Sequence, residues 1–94
     1  MPSAPNPQPP QGSAPRVTLI AKPGCHLCES ARATIASVTE ELGETFEELN
    51  VLERPDLMEK YAEEIPVTLV DGRQHDFWRV DEARLRAALT QPTR

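Results

Sequence analysis

Cys25 and Cys28 are the only two cysteines in this chain of 94 residues, and they stand three apart in Lys22-Pro23-Gly24-Cys25-His26-Leu27-Cys28. A pair at this spacing can bind a soft metal or close reversibly to a disulfide. Two cysteines and one neighbouring histidine cannot complete a tetrahedral zinc site within one chain. The spacing therefore points to a redox-active dithiol. The attacking species in such chemistry is a thiolate, which the free N–H groups and partial positive charge of a helix N-terminus favour. Lys22, and His26 when protonated, push the same way; otherwise His26 is a surface residue with no role. Cys28, one helical turn deeper, can close the disulfide or resolve a mixed one. Were both cysteines merely small buried hydrophobes, Cys28 would fit on an apolar face, but Cys25 at a Pro-Gly helix start would not.

The flanking elements must hold that pair. Val17–Ala21 is almost wholly apolar, as expected for a strand covered on both faces. Pro23 and Gly24 break it, and a helix follows with Cys28, Ala31, Ile35, Val38 and Leu42 on one face. Gly43 then supplies a left-handed cap. Thr45–Leu52 reads as a second strand in which Leu49 and Val51 alternate with Glu48 and Asn50. Phe46 is out of phase, so the strand starts after it or carries a bulge. Pro55 opens a short helix that buries Leu57, Met58 and Tyr61, and Ile65-Pro66 ends it. A hairpin follows, with strands Val67–Val70 and Gln74–Val80 about an Asp71-Gly72 turn. His75 is expected on its second strand, where Phe77 and Trp78 should face opposite ways. Asp81 caps a last helix, with Val80 and Leu85 as a hydrophobic staple and Leu85, Ala88 and Leu89 facing inward.

Composition narrows the setting. Residues 1–15 include six prolines and no charge, which predicts a disordered proline-rich tail before a domain over 16–91 and a short tail at 92–94. The net charge of −5 argues against nucleic acid and against an anionic membrane surface. Six acids fall within Glu40–Glu53, as on a solvated helix end and an exposed strand face. No basic segment followed by an apolar run opens the chain, so a cytoplasmic location is expected, where a cysteine pair tends to be catalytic or metal-binding.

The element order, Lys22-Pro23-Gly24-Cys25-x-x-Cys28 and the later Ile65-Pro66 together resemble the thioredoxin fold, and more narrowly a small glutaredoxin-like protein. The resemblance runs from Arg16 to about Leu89. It implies an α/β, thioredoxin-like domain, β-α-β-α-β-β-α, with a four-stranded mixed sheet and helices on both faces. It also implies a thiol–disulfide oxidoreductase in which Cys25 attacks, Cys28 resolves and Pro66 is a cis-proline facing the sulfurs. Lys22 matches a lysine that meets a carboxylate of glutathione, and residues 64–66 match the strand that pairs with its backbone. Lys22, His26, Leu27, Ile65, Pro66 and Asp81 are the implied substrate-binding residues. The chain departs from the family pattern at His26-Leu27 between the cysteines, at Glu64, and at Arg79-Val80 in place of Gly-Gly. The implied partners are a disulfide-bearing protein or low-molecular-weight thiol and a cellular reductant, with glutathione as a candidate co-substrate. No bound cofactor and a monomer are expected. Two other functions fit the same residues: a dimer sharing an iron–sulfur cluster through Cys25, and a redox-switched binding module.

Overall fold

The computed structural model describes residues 15–91, so the expected tails at 1–15 and 92–94 lie, apart from Pro15, outside the described residues. The elements are β1 (Val17–Ala21), α1 (His26–Leu42), β2 (Phe46–Asn50), a 3-10 turn at Val51–Glu53, α2 (Pro55–Tyr61), β3 (Val67–Val70), β4 (Arg73–Phe77) and α3 (Glu82–Leu89). They form one mixed sheet in the order β2-β1-β3-β4. β1 runs parallel to β2 and antiparallel to β3, which pairs antiparallel with β4.

Alternation along β1 builds two cores. Val17, Leu19 and Ala21 pack with Cys28, Ala31, Ile35 and Val38 of α1 and with Leu85 and Leu89 of α3. Ile20 projects from the other face and meets Val51, Tyr61 and Val67, with Leu57 and Met58 of α2 against them. A strand buried on both sides gains nothing from polar alternation, which is why β1 reads as an apolar run. α1 ends where Gly43 turns left-handed at φ 72°. The Gly43 N–H then reaches the Glu40 carbonyl at 3.3 Å and the Glu44 N–H reaches that of Thr39 at 2.8 Å. At α3, the Asp81 carboxylate accepts the Arg84 N–H at 3.1 Å, while Val80 and Leu85 join the same core.

Three local expectations need correction. Phe46 is the first residue of β2, paired with Val17 in unbroken register, and packs with the α1–α3 core. Val51, just past the strand's end, lies in the opposite core, so the out-of-phase residue marks a segment that serves one face early and the other later. Residues 51 and 52 leave the strand for the 3-10 turn, started by the Asn50 side chain accepting the Leu52 N–H at 2.9 Å. The irregularity in the sheet lies instead between β3 and β4, at Thr68/Leu69.

The third correction matters most for the site. β4 stops at Phe77 rather than running to Val80, because Trp78 adopts φ 66°. The two aromatic residues therefore do not alternate. Their rings meet edge to face at 5.1 Å between centroids, and each is about half exposed.

Candidate active site

Gly24, at φ 72°, takes a conformation that costs a side chain dearly, and it reverses the chain after β1. That turn delivers Cys25 to the N-cap of α1 in an extended conformation, φ −107° and ψ 116°. Its Sγ accepts the Cys28 N–H at 3.1 Å, in the place a serine or aspartate oxygen would occupy. A hydrogen bond to an ionised acceptor is stronger than one to a neutral acceptor, so this geometry suits a thiolate. Both cysteines are free, Cys25 partly exposed and Cys28 buried.

Burial gives the two sulfurs different work. Cys28 is fully enclosed in the α1–α3 core. Loss of solvent is the main reason its thiol is pushed up to about 11; the hydrogen bond with Cys25 adds to this, and a backbone hydrogen bond from Lys22 and the charge of Arg32 oppose it. Near neutral pH, then, Cys28 holds its proton until something draws it off.

Around the pair, His26 and Leu27 are exposed on the first turn of α1. Lys22 is exposed on the approach and shares a cleft of about 380 Å³ with Arg32 and Glu48. Arg32, one turn beyond Cys28, grips the Glu48 carboxylate through two hydrogen bonds of 2.7 and 2.6 Å. That bond is the first cause of the lowered Glu48 carboxyl and the raised Arg32 guanidinium. The Ile65–Pro66 peptide bond is cis. Pro66 is buried, and partly buried Ile65 touches both cores. Asp81 caps α3 with its carboxylate, and its N–H bonds the Asp76 carboxylate at 3.1 Å. His75 lies on β4, where its buried Nε2 has no partner among the described residues.

Sequence reasoning missed Trp78 as a fixed element of this face. Its N–H donates to the Pro66 carbonyl at 2.7 Å and its indole Nε1–H to the Glu63 carbonyl at 3.1 Å. No local signal announces a tryptophan in the left-handed region, which bulky residues rarely enter. The Arg32–Glu48 clamp was equally hidden, since it joins residues sixteen apart. Among the described residues no helix is long and apolar enough to cross a membrane, and no group of three or more His, Cys, Asp or Glu side chains is placed to hold a metal ion.

Comparison with known proteins places this geometry in a lineage. Residues 16–90 match the family model described as "Glutaredoxin-like domain (DUF836)". An uncharacterized protein of Mycobacterium tuberculosis (strain H37Rv) is 35% identical over 86 residues, covering 86% of this chain and 89% of that one. Among solved structures, the structural-genomics target XcR50 from X. campestris superposes with a TM-score of 0.66 at 29% identity, over 81% of this chain and 99% of that chain. A mutant thioredoxin from Halobacterium salinarum superposes with a TM-score of 0.59 at 21% identity, covering 88% and 80%; it shows the fold alone. With a family match over nearly all the described residues and a thioredoxin fold around its one cysteine pair, the chain belongs to the glutaredoxin-like DUF836 family.

Proposed function

We propose that this protein is a dithiol–disulfide oxidoreductase working through Cys25 and Cys28. The observation that carries this is the division between the sulfurs: Cys25 Sγ caps α1 at the surface, hydrogen-bonded by the Cys28 N–H at 3.1 Å, while the Cys28 thiol sits buried one turn behind it.

The cycle follows from that arrangement. The Cys25 thiolate attacks one sulfur of a substrate disulfide; a Cys25–substrate bond forms, the substrate S–S bond breaks, and the departing thiolate takes up a proton. Cys28 then gives up its proton and attacks Cys25 Sγ. The intramolecular disulfide closes, and the second substrate sulfur leaves and is protonated. Two electrons pass from the protein to the substrate, and the two substrate thiols take one proton from Cys28 and one from solvent. A cellular thiol reductant returns the electrons by the reverse exchange. Burial makes Cys28 a poor first nucleophile and leaves Cys25 to choose the substrate.

Ile65, held before the cis Pro66, would offer the backbone against which a substrate chain lies, and Lys22 a cation for a nearby carboxylate, so glutathione is a candidate co-substrate. The working setting we assign is a cytoplasmic monomer. Replacing Cys28 with serine removes the resolving step and should trap mixed disulfides with a model disulfide, mapped by peptide mass spectrometry to Cys25. Absence of the adduct, or an equal yield of adduct through Cys28 in Cys25→Ser, would reject the reading.

A further inference from the structure

The cleft beside the first turn of α1 has features that thiol exchange alone does not require. It has a volume of about 200 Å³, and Leu27, Thr34, Trp78, Arg79 and Val80 contribute to its walls. Leu27, between the two cysteines, is 37% exposed, and Trp78 is 51% exposed. An exposed apolar surface of this kind, sharing Leu27 with the turn of α1 that carries the two cysteines, marks a contact site.

Trp78 is held there against its own preference. The Arg79 N–H bonds the Phe77 carbonyl at 2.7 Å, closing a three-residue turn centred on Trp78 at φ 66°, a conformation rare outside glycine. Bonds to the Pro66 and Glu63 carbonyls fix both ends of the residue. Backbone in such regions tends to persist at ligand sites, where neighbouring structure over-determines it. The charge in the cleft has a direction too. Among the described residues Arg16, Arg32, Arg54, Arg84 and Arg86 each make an ion pair, whereas Lys22, Lys60, Arg73 and Arg79 make none, and of these four Arg79 lines the cleft. A cation left without a carboxylate on a chain of net charge −5 is complementary to an acidic ligand.

We propose that this cleft docks the substrate polypeptide, taking an apolar side chain next to the substrate's cysteine against Trp78 and Leu27 and an acidic residue against Arg79. The inference rests on the dithiol reading and adds the class of substrate: a protein segment of apolar and acidic character. Trp78 and Arg79 are its specificity-determining residues.

The test uses the full chain and two synthetic cysteine peptides, each joined by a disulfide to 2-mercaptoethanol. One carries phenylalanine before its cysteine and two glutamates after it; the other carries serine and two lysines at those places. Peptide rates are divided by each protein's own rate on 2-hydroxyethyl disulfide. The wild-type protein should favour the first peptide by about tenfold or more, the scale expected for burying one aromatic side chain. Trp78→Gly and Trp78→Asn, both compatible with positive φ, should reduce the preference to about twofold. Arg79→Ala should remove the part that depends on the glutamates and weakens with salt. Equal wild-type rates on the two peptides overturn the proposal, as does a preference that survives both Trp78 substitutions. So does a faster reaction with glutathione disulfide than with either peptide, or a Trp78-dependent dimer covering the cleft in sedimentation. Failure to reduce even 2-hydroxyethyl disulfide would instead remove the dithiol reading beneath it.

Discussion

Two sulfurs three residues apart carry unequal chemistry because one helix turn moves the side chain from surface to core. Loss of solvent, first, and the hydrogen bond with Cys25 raise the Cys28 thiol from its ordinary 9.0 to about 11. At pH 8 only about one part in a thousand of it is ionised. Iodoacetamide at that pH should label Cys25 in the reduced protein and leave Cys28 almost unlabelled; mass spectrometry of the digest reads both. The same shift has a stability consequence. A thiol raised in the folded state stabilises the fold below about pH 9, and that contribution is lost as pH rises through about 11. The urea midpoint should therefore fall across this window in the wild type, and fall less in Cys28→Ala. The positions of both cysteines were legible in the sequence because a helix start is local grammar: a strand, Pro-Gly, then an apolar face. The conformation of Trp78 was not, since bonds to Pro66 and Glu63 override what its neighbours in sequence suggest.

At the scale of elements, the apolar runs and caps gave the order of strands and helices, and the errors fall where one segment serves two layers. Phe46 at the start of β2 and Val51 just past its end pack into opposite cores, so a search for strict alternation on one face finds a defect where there is none. β4 ends early because Trp78 turns left-handed at φ 66°, although its N–H still takes the next rung of the β3–β4 ladder on the Pro66 carbonyl. α3 is short and depends on its buried face. Leu85 is fully enclosed, and Leu85→Ala should cost about 2–5 kcal/mol in urea unfolding. Gly43 holds φ 72° at the end of α1, with open space where a Cβ would stand. Gly43→Ala there should cost about 1 kcal/mol, through backbone conformation and not through a clash.

Across the whole molecule, the site and its anchor lie at opposite ends of β1. Past Ala21 are the cysteines; before Val17, Arg16 donates to the Asp71 carboxylate at 3.0 and 2.9 Å and to the Leu89 carbonyl at 3.1 Å. One guanidinium thus ties the first strand to the β3–β4 turn and to the end of α3. Its hydrogen bond to Asp71 holds that carboxyl below its usual range, so the pair's stabilisation is present above about pH 4 and lost as pH falls through the lowered folded value. Arg16→Met should lower stability by roughly 1 kcal/mol at about pH 7, with the gap closing in acid as Asp71 protonates. No motif announces this anchor, because it joins residues 55 apart in the chain.

The central claim, that Cys25 is the attacking sulfur of a reversible dithiol, is tested most directly by steady-state reduction of 2-hydroxyethyl disulfide with dithiothreitol as electron source. Wild-type protein should turn over and Cys25→Ser should fall to the uncatalysed rate. Undiminished turnover by Cys25→Ser would contradict the account.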